Sequence, residues 1–95
     1  MRYSKTVINK ELKSAKGWKR IGKEIVKTFK FPDFVGSIQF VFKTAALAEK
    51  QCHHPDILVQ WNRVTLRLTT HGEGGLTEKD FRLAKEIDKV KIKKK

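Results

Sequence analysis

The chain has one cysteine, Cys52, and two prolines among 95 residues. A lone thiol excludes an intramolecular disulfide and fits a reducing compartment. Acidic residues are also scarce, 10 against 22 Lys and Arg, for a formal net charge of +12. Such a surface attracts anions: nucleic acid, acidic membranes or a phosphorylated partner. The lysines are spread along the chain, however, and only Lys89–Lys95 is a dense cluster. Aromatic residues are not interleaved with them as a stacking platform requires. A solvated basic surface is therefore expected, with nucleic-acid contact of a non-specific kind only. No apolar run approaches membrane-spanning length, and residues 1–16 lack the apolar stretch of a signal peptide. The expectation is a soluble, cytoplasmic protein with no membrane partner. Internal repeats and low-complexity segments are lacking as well.

What is present is a core. Hydrophobic residues make up 39% of the chain and include six Phe and two Trp, enough for one globular domain over residues 1–95. A chain this short buries somewhat over ~60% of its extended surface, so oligomerisation is a natural supplement to stability. Residues 1–16 are polar and weakly patterned, a frayed end or a short helix around Asn9–Ala15. From residue 18 the pattern sharpens. Ile25, Phe29 and Phe31 fall on one side of a period-two alternation, with Val26, Thr28 and Lys30 on the other, which predicts a strand near 24–31. A shorter strand around 18–21 precedes it, with a hairpin break at Gly22-Lys23. Pro32-Asp33 opens a helix with Asp33 as its N-cap. Phe34, Ile38, Val41, Ala45 and Ala48 recur at helical spacing and define its expected buried face, ending near Cys52.

Residues 57–70 read as two strands around a turn at Asn62-Arg63, the second with Val64, Leu66 and Leu68 alternating against Thr65, Arg67 and Thr69. Gly72–Gly75 reads as a flexible loop. A last helix starts at Thr77, whose spacing to Asp80 suggests a capping box, with Leu83, Ile87 and Val90 as its apolar stripe. The order ββαββα predicts an α+β fold: a four-stranded antiparallel sheet with helices packed on one face.

All three histidines lie between positions 53 and 71. His53-His54-Pro55 sits where the helix must stop, because a residue before proline avoids the α region. Glu49, four residues before His53, can share its helix face. His71 ends a strand on the polar side of the alternation, next to the glycine loop, and Asp80 begins the following helix. Each has a plainer reading: Asp80 as a helix cap, Glu49 and His53 as a surface pair worth about 0.3–0.5 kcal/mol, His54 and His71 as exposed polar residues. Glu49, Cys52, His53 and His71 are ligand types that zinc accepts, but their spacing matches neither HExxH nor a paired-cysteine pattern. Cys52 is expected near the apolar helix face, as a buried structural thiol.

Glu49-Lys50-Gln51-Cys52-His53-His54-Pro55, followed by Trp61, His71 and Asp80, resembles the signature of the pterin-4a-carbinolamine dehydratase (dimerisation cofactor) family. The flanks agree: Phe29-Lys30-Phe31-Pro32-Asp33-Phe34, Leu66-Arg67-Leu68-Thr69-Thr70-His71 and Gly75-Leu76-Thr77-Glu78-Lys79-Asp80. The resemblance covers roughly Gly17 to Val90. Two departures are a shortened or degraded N-terminal helix, and Cys52 and Lys79 where other members often carry an acid and an arginine. The resemblance implies the ββαββα fold, assembled as a homodimer or homotetramer. It implies dehydration of 4a-hydroxytetrahydrobiopterin to the quinonoid dihydropterin, in tetrahydropterin recycling, without metal or cofactor. His53 and His71 would carry the acid–base chemistry, His54 would hold the pterin substrate, and Glu49 and Asp80 would orient histidine or substrate. A basic binding module, or a transcriptional coactivator-like interaction protein with little or no activity, is the alternative.

Overall fold

A computed structural model describes residues 1–92; Lys93–Lys95, part of the basic tail cluster, lie outside the described residues. Four strands, β1 (Lys19–Ile21), β2 (Glu24–Lys30), β3 (Asp56–Gln60) and β4 (Arg63–Leu68), form one antiparallel sheet in the order β1-β2-β4-β3. The helices are α1 (Lys5–Leu12), α2 (Phe34–Gln51) and α3 (Glu78–Asp88). The alternation of β4 sets the inside of the sheet. Val64, Leu66 and Leu68 are fully buried, and their cross-strand partners Phe29, Lys27 and Ile25 on β2 lie on the same face. Phe40 of α2, with Phe81, Leu83 and Ile87 of α3, completes the core against that face. Each such side chain contributes roughly 1.5–3 kcal/mol through burial. The other face carries Thr28 and Thr65, hydroxyl to hydroxyl at 2.9 Å, and an Arg67–Glu24 ion pair at 3.2 Å.

The predicted hairpins and caps are present. Asp33 accepts the Gly36 N–H at 2.8 Å and starts α2, and Thr77 with Asp80 forms the capping box of α3. Residues 1–16 differ from expectation. The helix runs Lys5–Leu12, not around Asn9–Ala15, and the order becomes αββαββα. Ser4 caps it through the Val7 N–H at 3.3 Å, and Ile8 is its one buried residue. So small an apolar footprint leaves little periodicity to read.

The buried face of α2 also differs. Gly36, Ser37, Phe40, Thr44 and Ala48 point inward, whereas Phe34 and Ile38 are 50% and 44% exposed. The helix is apolar on more than one side, so its spacing alone admits two stripes. The choice is made by Phe40, whose ring lies 4.6 Å from that of Phe29 and 5.0 Å from that of Phe31. The β3–β4 turn is Trp61-Asn62, one residue earlier than expected, because Arg63 already pairs with Gln60. Gly72–Gly75 is not a free loop. His71–Glu73 forms a 3-10 turn, and a bridge joins Thr70 to Gly75.

Candidate active site

The site begins at the end of α2. Cys52 takes the left-handed conformation, φ 52°, and its N–H and that of His53 return to the last helical carbonyls. That termination turns the chain sharply and sends His53 inward, 9% exposed, while Cys52 stays outside. The buried structural thiol expected from the helix periodicity is therefore corrected: the turn, not the apolar face, positions Cys52.

His53 meets Asp80, which sits in the first turn of α3 and has no exposed surface. His53 Nε2 lies 2.6 Å from Asp80 Oδ1. The second carboxylate oxygen, Oδ2, accepts the Thr77 backbone N–H at 2.9 Å and the Thr70 hydroxyl at 2.9 Å. Because Thr70 spends its only hydroxyl proton on Asp80, the 2.8 Å contact between the two threonines runs with Thr77 as donor. A buried carboxylate without partners is strongly disfavoured; this one has three donors. The cap and the histidine partner are thus one residue. Oδ2 serves the helix and Oδ1 serves His53.

The remaining predicted residues lie further out. Glu49 does not pair with His53, as a shared helix face suggested. The left-handed turn at Cys52 rotates His53 away, and the Glu49 carboxylate instead meets His54 Nε2, both side chains being exposed. His71 is exposed at the head of the 3-10 turn, directly after Thr70, the residue that holds Asp80. The structure thus joins His53 to Asp80 and Glu49 to His54, while the His71 side chain makes no hydrogen bond among the described residues and follows directly on Thr70, a partner of Asp80. Among the described residues, no three His, Cys, Asp or Glu side chains gather into a group that could hold a metal ion. Among those residues, too, no helix is long and apolar enough to cross a membrane.

Thr70 and Thr77 as hydroxyl partners of Asp80 were not singled out in the sequence. A signal existed for Thr70. It continues the inward side of β4, after Val64, Leu66 and Leu68, and a hydroxyl on that side requires a partner.

The chain resembles known proteins over nearly all of its length. The family model described as Pterin 4 alpha carbinolamine dehydratase matches residues 1–90. Two curated relatives carry the name "Putative pterin-4-alpha-carbinolamine dehydratase". One, from Roseiflexus sp., is 52% identical over 89 residues, 94% of this chain and 96% of the relative. The other, from Sulfolobus acidocaldarius, is 46% identical over 90 residues, 95% and 99%. A crystal structure described as a transcriptional coactivator/pterin dehydratase from Brucella melitensis superposes with a TM-score of 0.89 at 34% identity, covering 93% of this chain and 96% of that one. A pterin dehydratase-like protein described as a RuBisCO assembly factor of the alpha-carboxysome superposes at 0.65 with 27% identity, over 76% and 86%.

Proposed function

This chain belongs to the pterin 4 alpha carbinolamine dehydratase family, and from that premise we propose that it removes water from a 4a-hydroxytetrahydropterin by histidine acid–base catalysis, as a step of tetrahydropterin recycling in the cytoplasm. The reaction takes a proton from the ring nitrogen beside the carbinolamine carbon. It returns one to the departing hydroxyl as the C–O bond breaks, and the nitrogen lone pair closes the new C=N bond. Histidine suits both transfers near neutral pH.

The observation that carries this reading is the buried His53–Asp80 pair. The cap of α3 accounts for Oδ2, but a protein that only grips an anion gains nothing from the Oδ1 of the same buried carboxylate meeting a histidine. With Nε2 donating to Asp80 Oδ1, the other ring nitrogen of His53, Nδ1, is the one left for the substrate. A proton taken there produces an imidazolium that the carboxylate stabilises, the arrangement a general base needs. His71 is the complementary proton-transfer group, and His54, oriented by Glu49, holds the pterin. Neither metal nor cofactor enters the scheme, so the rate should survive exhaustive chelation; loss with EDTA and recovery with zinc would refute that.

The direct test supplies enzymatically generated 4a-hydroxytetrahydropterin and follows the quinonoid dihydropterin. The expected rate profile is bell-shaped, since one group must accept a proton and another donate one. His53→Ala and His71→Ala should each lower kcat by roughly 10²-fold. A folded double variant as fast as the parent would overturn the proposal.

A second reading, a basic interaction protein, draws on the net charge of +12 and on the coactivator and assembly-factor descriptions of the two structural neighbours. Tight binding to one nucleic-acid sequence at physiological salt would favour it. Weak binding that fades steeply with salt would favour the enzyme.

A further inference from the structure

Apart from the histidines, four basic residues, Arg2, Lys5, Arg20 and Lys23, line one cavity of about 370 Å³ with no acidic residue in its wall. Two come from the N-terminal segment and two from the β1–β2 hairpin. None of the four is ion-paired among the described residues. Of the acids nearest the wall in sequence, Glu24 takes Arg67 at 3.2 Å, Glu11 takes Lys85 at 3.4 Å and Glu73 takes the amino terminus at 3.2 Å, whereas Glu78, on the far side of Tyr3, makes no ion pair among the described residues. Four positive charges around one volume repel each other unless an anion shares it.

The wall is held in place by more than flexible side chains. The Arg2 stem packs so closely on Gly75 that a Cβ there would meet Arg2 Cδ at 2.8 Å. The Tyr3 N–H donates to the Leu76 carbonyl at 2.7 Å, and the Tyr3 ring stacks on Phe81 with centroids 6.1 Å apart. Across the cavity the Arg20 guanidinium is anchored on the Gly22 carbonyl at 2.9 Å.

We propose that this cavity binds a small, multiply charged phosphate compound, a diphosphate or phosphate ester, gripped by Arg2 and Lys5 on one side and Arg20 and Lys23 on the other. Its volume lies at the lower end of small-ligand sites. The aromatic residue in its wall, Tyr3, is stacked on Phe81 and not presented as one of a row of base platforms. A compact ligand therefore fits better than a nucleic-acid strand.

Calorimetric titration of the full chain with sodium pyrophosphate tests this, with inorganic phosphate and a single-stranded oligonucleotide as parallel arms. Pyrophosphate should bind saturably, one per chain, and more tightly than inorganic phosphate. The Lys5→Gln, Lys23→Gln double variant should bind it roughly tenfold or more weakly. A control pair of equal charge, Lys30→Gln with Lys43→Gln, should bind as the parent does; Arg20→Gln replaces the first pair if that pair unfolds. Equal weakening in the control, or no saturation at millimolar pyrophosphate, would overturn the site. So would tighter oligonucleotide binding that depends on the same lysines. The readout is a binding heat, independent of the dehydration proposed above.

Discussion

At the scale of single residues, the capping and catalytic readings of Asp80 predict different outcomes. Asp80→Asn keeps an oxygen for the Thr77 N–H, so the start of α3 should survive. The amide nitrogen then faces His53 Nε2, a donor against a donor, and forces the imidazole into the other tautomer. We expect kcat to fall roughly 10²-fold or more while the protein still melts cooperatively. Full activity in folded Asp80→Asn would reduce Asp80 to a cap. Thr70→Val removes one of three donors to the same carboxylate and leaves the Thr77 hydroxyl proton without its acceptor, a loss of about 1–3 kcal/mol of stability. Its effect on kcat should be smaller than that of Asp80→Asn, because Oδ1 and its histidine are untouched. Thermal unfolding and turnover of the two variants, compared side by side, check the ordering.

Among the elements, α2 does the most positioning, since its inner face packs the core and its far end delivers His53. Its start depends on Asp33 and on Gly36, where an added Cβ would meet Phe31 Cβ at 3.1 Å and Asp33 Oδ1 at 3.3 Å. Asp33→Ala should cost about 1 kcal/mol, a fall of roughly 4–8 °C in Tm for a domain of this size. Asp33→Asn should be nearly neutral. Dehydration at temperatures where both variants are folded should be unchanged, because the cap lies at the opposite end of the helix from His53. The Asp33 and Thr77 caps were legible in the sequence because a cap is a local rule, a side chain bonding an N–H two or three residues on. The inward face of α2 was not, because it depends on where Phe29 and Phe31 stand after the sheet has formed.

At the scale of the whole molecule, the exposed side of α2 carries Phe34, Val35, Ile38 and Phe42, the last 77% exposed. An apolar stripe of this kind is a candidate interaction surface, and we propose it as the contact between copies of the chain in a homodimer or homotetramer. Each buried Phe contributes roughly 1.5–3 kcal/mol. Phe42→Glu should therefore shift the sedimenting species toward monomer without altering the fold. Identical masses for variant and parent would exclude the stripe as the interface. The net charge adds a second expectation. Copies at +12 repel each other, so added salt should strengthen self-association while weakening any contact with polyanions. Sedimentation at two ionic strengths separates the two effects.

The sequence by itself determined the strands, helices α2 and α3 with their caps, and the charge, since each follows from a period of two, a period near 3.6, a local capping rule or a simple count. Val64, Leu66 and Leu68 could face only one way. The tertiary structure decided which histidine meets which acid. Asp80 finds His53 across 27 residues of chain, and Glu49 finds His54 because the backbone turns left-handed at Cys52. Neither pairing follows from helical spacing: the Glu49–His54 contact depends on how α2 ends, and the His53–Asp80 contact depends also on where α3 docks. The helix at Lys5–Leu12 belongs with them: too polar to announce itself, it is held by buried Ile8 and by Leu12 packed against the core.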